Sequence, residues 1–156
     1  MKFAIVCAAS ALLALSAHAY DFAAGSIRID RPWSRETAPN AAVGAGYVTI
    51  KNYGKAPDRL VAIKSAIAEK SEIHTMTMEG GVMRMRELAA GLTIPAGAEV
   101  KLQPGAEHIM FMGLAAPIKQ GEDFKATFVF ERAGEVDVAF QVEAPGAKPP
   151  SAHDHH

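Results

Sequence analysis

The sequence predicts an all-β protein built as a single sandwich or barrel. Apolar and polar residues alternate with a period of two along most of the chain, as they do in strands that bury one face. Turn-forming residues interrupt this alternation about every ten residues, the spacing typical of β-sandwiches. The 156 residues contain no internal repeat and no sustained heptad, and their number suits one domain with a substantial core.

The strand pattern recurs in short segments from residue 26 to residue 142. The pattern marks ten segments, from which we expect eight or nine strands: residues 26–30, 45–52, 59–64, 72–78, 82–88, 92–94, 99–102, 108–114, 124–130 and 136–142. The first segment ends at Pro32, the second at Gly54, and the last two are joined at Gly134. Residues 62–70 have a helical composition, but they lack a cap, so we interpret them as a strand end and loop.

A tight hairpin is predicted in the middle of the chain. Gly80 and Gly81 separate residues 72–78 from residues 82–88. Two-residue hairpin turns need residues that tolerate positive φ, and glycine does so at no steric cost. The two segments should therefore be antiparallel neighbours.

The first nineteen residues have the organisation of a secretory signal. Lys2 supplies the short positive segment, residues 3–15 the apolar segment, and residues 17–19 a small-residue cleavage site. We expect cleavage after Ala19, which places the mature protein, from Tyr20 onward, in the periplasm. The apolar segment is shorter than the roughly 20 residues that span a bilayer, so no membrane insertion is expected after cleavage.

Cleavage would leave the mature chain without cysteine. Cys7 is the one cysteine of the sequence, and it lies inside the apolar segment rather than at its end, which argues against a lipoprotein. The mature protein then has no disulfide and no thiolate for catalysis or metal binding. Loss of Lys2 removes one positive charge, so the formal net charge changes from −1 to −2, and this balance does not predict nucleic-acid binding.

Methionine and histidine cluster in one part of the chain. Apart from Met1, every methionine lies between residues 74 and 112, beside two histidines. The cluster comprises His74, Met76, Met78, Met83, Met85, His108, Met110 and Met112. Within each segment these residues occupy alternate positions, so they share one face of their strand. The opposite face of the hairpin carries Thr75, Thr77, Arg84 and Arg86, which should be solvated.

Two interpretations of the cluster are open. Methionine commonly fills gaps in a core, and Ile109 and Phe111 make the third segment apolar on both faces. A core, however, would also draw on Leu, Val and Ile, and would spread its methionines over all strands. Two histidines at matched ends of the stripes also need an explanation, so we favour metal ligation.

The ligand types select the metal. Thioether sulfur is soft and neutral and suits Cu(I), whereas a blue-copper electron carrier needs a cysteine thiolate that the mature chain lacks. Neutral ligands leave the charge of Cu(I) uncompensated, which should favour its release to a partner bearing thiolates. The chain has no nucleophile motif, no H-E-x-x-H and no phosphate loop, so we do not expect an enzyme. A haem protein, a redox carrier and a structural sandwich are the alternatives.

The cluster resembles the PCuAC family of periplasmic copper chaperones. Ten residues separate His74 from Met85, and twenty-two separate Met85 from His108-x-Met110, one more than the family pattern. The surrounding phrases are also similar to the family, namely residues 46–52, 83–86, 94–97 and 108–114. The resemblance extends over residues 26–142, essentially the whole expected domain, residues 20–142.

The resemblance implies a fold, a ligand set and partners. The fold is a cupredoxin-like Greek-key β-sandwich, and the Cu(I) ligands are His74, Met85, His108 and Met110. Copper would be delivered toward the Cu_A centre in subunit II of cytochrome c oxidase, alongside a Sco-type protein, by a monomeric chaperone. Auxiliary or screening roles would fall to Met76, Met78, Met83 and Met112, and Met112 could replace Met110 as the fourth ligand. Copper storage, resistance or scavenging is the alternative function.

A different composition begins at residue 143. Residues 143–156 are rich in Pro and Ala, have little to bury, and should form a flexible extension. The extension ends with His153, His155 and His156. Imidazole suits Cu(II), so these histidines could form a second copper site. The alternative is a flexible end with incidental histidines.

Overall fold

The computed structural model describes residues 21–149, which form eleven β-strands and no helix. The strands are β1 (Asp21–Ala24), β2 (Ile27–Arg35), β3 (Val43–Asn52), β4 (Asp58–Lys64), β5 (Ala68–Glu79), β6 (Val82–Glu87), β7 (Leu92–Ile94), β8 (Glu99–Leu102), β9 (His108–Leu114), β10 (Phe124–Phe130) and β11 (Gly134–Glu143). Residues 62–70 are the end of β4, a turn and the start of β5, as expected.

The strands pair in the order β6-β5-β9-β3-β2-β11-β10-β4-β7, with β1 on β2 and β8 on β3. Strand β11 pairs with β10 over residues 134–140 and then, in parallel, with β2 over residues 141–143. It therefore passes from one layer of the sandwich to the other. The prediction of an all-β, cupredoxin-like Greek-key sandwich is confirmed.

Aromatic rings fill the centre of the sandwich. Phe111 of β9 meets Phe124 and Phe140 edge-on, with ring centres 5.3 and 5.5 Å apart, and those two rings stack on each other at 5.1 Å. Gly46 of β3 lies against the same rings, because a Cβ there would come within 2.8 Å of Phe111 and 2.9 Å of Phe140. Residue 46 therefore sets how closely β3 approaches the aromatic core.

Strand β2 does not end at Pro32 as the sequence predicts. It continues to Arg35, and its register on β3 shifts between Asp30 and Trp33, where Arg31 has a φ of 45°. Proline has no N–H to donate to a neighbouring strand. At a bulge, however, its position does not need to make an inter-strand hydrogen bond. Strand β1, which the pattern did not reveal, pairs along the first half of β2.

The central hairpin is confirmed, and it extends beyond the sandwich. Gly80 and Gly81 have φ values of 57° and 80°, as a type I′ turn requires. Strand β5 pairs with β9 over residues 68–74, whereas its later residues pair with β6. Residues 75–86 thus form a two-stranded ribbon, which we call the methionine ribbon.

Candidate metal centre

Two histidines face each other where the methionine ribbon leaves the sandwich. His74 of β5 and His108 of β9 are directly opposite in register, and their ring centres are 6.1 Å apart. An ion bonded to two imidazoles lies about 2 Å from each nitrogen, so the two ring centres can be at most about 6.3 Å apart. The observed separation lies just below this limit, so both rings can hold one ion in a nearly linear arrangement, and a tetrahedral ion would draw the rings closer together.

The backbone determines which nitrogen of His108 is free. Its Nδ1 lies 2.9 Å from the carbonyl oxygen of Ala106. A carbonyl only accepts, so Nδ1 carries the proton and Nε2 keeps its lone pair. His108 is buried, at 7% exposure, and this hydrogen bond fixes the orientation of its ring.

For His74, the carboxylate of Glu72 determines which ring nitrogen is free. Its Nε2 lies 2.8 Å from Oε2 of Glu72, so Nε2 donates to the carboxylate and Nδ1 keeps its lone pair. Within residues 21–149, that Nδ1 is buried and has no hydrogen-bond partner. A buried nitrogen without a partner is costly, and a metal bond would compensate it.

Glu72 is a member of the site that the sequence analysis missed. It is buried, at 8% exposure, and it also pairs with Lys70. The Lys70 ammonium, and next the hydrogen bond from His74, lower the pKa of Glu72 against the opposing effect of burial. The carboxyl group therefore stays ionised and can orient the imidazole, as carboxylates do behind metal-bound histidines. The spacing Glu72-x-His74 on one strand was the available signal.

The methionines of the ribbon form two cross-strand pairs on the face that carries His74. Met76 and Met85 are opposite each other and form the inner pair, next to the histidines. Met78 and Met83 form the outer pair, next to the turn. Met78, Met83 and Met85 are 67%, 49% and 52% exposed. The interpretation that they pack in a core is therefore wrong for these three side chains.

The methionines of β9 lie on the other side of the histidines. Met110 is opposite Glu72, and Met112 is opposite Lys70. Both side chains are half-buried. Met85 and Met110 are thus diagonal neighbours of His74, on opposite sides of it and in opposite directions along β5. A long side chain can span either separation from His74. Met112 lies one step farther away.

The opposite face of the ribbon is charged. Arg86 donates to Oε1 of Glu79 from Nε at 2.9 Å and from Nη2 at 2.6 Å, and Arg84 Nε lies 3.6 Å from Oε2 of the same carboxylate. Both arginines are exposed, as expected, whereas Thr75 and Thr77 are half-buried. These contacts join β5 to β6 without using the methionine face.

Other predicted features fall outside these residues. His153, His155 and His156, like the signal segment, lie outside the described residues. Between residues 21 and 149, no group of three or more His, Cys, Asp or Glu side chains is placed to hold a metal ion. The same part of the chain contains no helix with the length and hydropathy to cross a bilayer.

The fold and this cluster define a small β-sandwich protein with two facing imidazoles beside an exposed ribbon that bears methionines. The chain belongs to the LpqE-like family, described as "Putative lipoprotein LpqE-like", whose model matches residues 27–142. It is 30% identical over 120 residues to "Putative lipoprotein Lxx21020" of Leifsonia xyli subsp. xyli, which covers 77% of this chain and 71% of that protein. It is 28% identical over 112 residues to "Uncharacterized protein RP573" of Rickettsia prowazekii, which covers 70% of this chain and 62% of that protein.

Solved structures with the same fold include PCuAC domains. The copper-bound PCuAC domain from PmoF2 matches with a TM-score of 0.69 and 28% identity, over 81% of this chain and 99% of that domain. The solution structure of Cu(I)-DR1885 from Deinococcus radiodurans matches with a TM-score of 0.61 and 28% identity, over 77% and 78% of the two chains. The resemblance to the PCuAC family is confirmed.

Proposed function

We propose that this protein is a Cu(I) chaperone, with His74, Met85, His108 and Met110 as ligands. The observation that carries the proposal is the buried Nδ1 of His74, which has no hydrogen-bond partner among residues 21–149 and lies beside a second histidine. The likeness to the copper-bound PCuAC domain from PmoF2 and to Cu(I)-DR1885 supports the choice of metal.

The donor set suits release as well as binding. Imidazole and thioether are neutral, so the charge of the ion is not cancelled, and a thiolate partner offers a stronger site. Thioethers exchange without taking up or releasing a proton. The half-exposed Met85 lets such a partner reach the ion from solvent.

Register favours Met110 over Met112 as the fourth ligand. Met110 is opposite Glu72 and therefore one step from the histidine pair, whereas Met112 is two steps away. Met76, Met83 and Met112 lie outside the four-ligand set, and their auxiliary role is to screen the site or to contact the ion during transfer. Met76 shares the inner pair with Met85 and is the most direct substitute for it.

The test compares conservative variants of the mature chain. We expect Met85→Leu and Met110→Leu to fold and to lose Cu(I) affinity by at least about tenfold, or about 1.4 kcal/mol, in competition with bicinchoninate. Met112→Leu is the matched control and should keep the affinity. X-ray absorption of the loaded protein should give two nitrogen and two sulfur neighbours. If both ligand variants bind as the original chain does, the proposed site is wrong.

The recipient is the Cu_A centre of subunit II of cytochrome c oxidase, with a Sco-type protein acting alongside. Incubation of the Cu(I)-loaded protein with an apo subunit II domain should give the Cu_A absorption bands after oxidation. Retention of copper on the chaperone would instead support storage or resistance.

Export to the periplasm precedes this function. Cleavage after Ala19 removes the signal, and the mature protein, a monomer, starts at Tyr20. Mass spectrometry of the exported protein tests this processing, and a lipid attached at Cys7 would contradict it.

The tail supplies a second, Cu(II) site through His153, His155 and His156. Titration with Cu(II) should reveal one more equivalent in the mature chain than in the triple alanine variant. Equal stoichiometry would remove the tail site.

A further inference from the structure

The outer pair of the methionine ribbon supplies none of the four proposed ligands. Met78 and Met83 are opposite each other in register, one pair before the turn, and are 67% and 49% exposed. Full burial of a methionine stabilises a protein by about 1.5–3 kcal/mol. At 67% exposure, Met78 contributes only a small part of that to this fold.

The ribbon does not need these side chains to hold its strands together. Its charged face carries the contacts of Glu79 with Arg84 and Arg86, and its turn is formed by two glycines with positive φ. The stability of the fold therefore does not explain why two exposed, apolar side chains lie opposite each other on the other face. Every side chain of β6 is exposed, so no described element covers the pair.

The outer pair lies on the same face of the ribbon as the proposed ligands His74 and Met85. Alternate residues of a strand are about 6.8 Å apart, and directly opposite side chains have Cβ atoms about 5 Å apart. Two flexible thioethers at that separation can converge on one ion. Along β5 the outer pair, the inner pair and His74 then follow one another on a single face.

We infer that Met78 and Met83 form an outer, weaker Cu(I) site that takes up the ion before it reaches the tight site. This inference rests on the proposed function, and it adds an uptake step. Copper stays Cu(I) throughout, since each new sulfur–copper bond replaces one to the donor or to the previous methionine. No electron or proton is transferred. Two thioethers bind more weakly than two thioethers with two imidazoles, so the ion moves inward.

The experiment uses the mature chain and a Met78→Leu, Met83→Leu double variant. Transfer of Cu(I) from its bicinchoninate complex is followed by stopped-flow absorbance, and equilibrium competition is measured separately. We expect uptake to slow about tenfold, equivalent to about 1.4 kcal/mol in the barrier, while the affinity for the first equivalent is unchanged. Val82→Leu, which alters an exposed side chain on the charged face of the same ribbon, should leave both unchanged.

A second measurement locates the outer site directly. Methyl-labelled methionine is followed by NMR in the original chain as Ag(I), a soft monovalent ion that is not oxidised, is added. The methyl signals of Met78 and Met83 should shift with the second equivalent, after those of Met85 and Met110.

The outcomes separate the inference from the proposed function. Unchanged uptake in the double variant, or silent Met78 and Met83 signals, overturns the outer site. Lower affinity for the first equivalent in the double variant also overturns it, because the pair would then belong to the tight site. Wild-type Cu(I) affinity in Met85→Leu and Met110→Leu contradicts the proposed function itself.

Discussion

At the scale of single residues, two acceptors select the free nitrogens of the histidine pair. Ala106 takes the Nδ1 proton of His108, and Glu72 takes the Nε2 proton of His74. The pair therefore offers one Nε2 and one Nδ1 lone pair. The ionised carboxylate also makes the Nδ1 lone pair of His74 a stronger metal ligand.

Replacement of Glu72 by Gln tests this positioning role. The amide keeps the size and can still accept a hydrogen bond, but the negative charge is lost. We expect the Kd for Cu(I) to rise about tenfold, the lower end of the effect of such partners. Competition with bicinchoninate measures the change.

Glu87→Gln is the matched control. Glu87 is exposed and is the cross-strand neighbour of His74 in the hairpin. The variant makes the same charge change beside the same histidine, and its affinity should stay near that of the original chain. Equal weakening in both variants would mean that long-range charge, rather than an ionised carboxylate in direct contact with His74, accounts for the effect.

At the scale of elements, the methionine ribbon depends on its turn. Alanine at position 81 would have to adopt a φ of 80°, which costs about 1 kcal/mol for a residue with a Cβ. We expect Gly81→Ala to lower the hydrogen-exchange protection of ribbon amides about fivefold and to weaken Cu(I) binding, since Met85 loses its fixed place. The urea midpoint should hardly change, because the ribbon lies outside the core.

Gly80→Asn is the control for the turn. Asparagine tolerates a φ of 57°, and Asn-Gly is the favoured pair in type I′ turns. Protection of the ribbon should stay near that of the original chain. Equal loss of protection in both variants would show that the turn geometry is not what orders the ribbon.

At the scale of the whole molecule, the aromatic core determines where β9 lies. Strand β9 places Ile109 and Phe111 in the core and the alternate residues on the site face. The position of Met110 relative to His74 therefore depends on how Phe111 packs. Gly46 belongs to the site in this indirect sense, because it leaves room for that ring.

We expect Gly46→Ala to lower the free energy of unfolding by about 1–3 kcal/mol, the usual cost of overpacking. The new methyl group would meet two rings of the core at once. Urea denaturation measures the change. Gly44→Ala is the comparison on the same strand, where the methyl group meets the end of the Ile118 side chain, which can rotate away. Its cost should be smaller, and equal costs would contradict this account.

Much of this architecture could be predicted from the sequence. Alternation and turn residues place most strands, and Gly80-Gly81 fixes the hairpin and the face on which the methionines lie. Alternation does not reveal whether a face is covered, so the exposure of Met78 was not predictable. The second half of β2 was not predicted, because Pro32 normally ends a strand. The bulge that accommodates it depends on the partner strand, which the local sequence does not specify. Glu72 was missed because its role depends on a contact with His74 that composition does not specify.

Exposure of the thioethers has a chemical consequence in an oxidising compartment. Peroxide or hypochlorous acid converts methionine to its sulfoxide, and Met78, Met83 and Met85 are the methionines that solvent reaches most freely. A sulfoxide is polar and presents a hard oxygen, which suits Cu(I) poorly. Since these side chains lie outside the core, oxidant would weaken metal binding through the proposed ligand Met85 while the sandwich stays folded. Methionine sulfoxide reductases would restore the thioethers without refolding the protein.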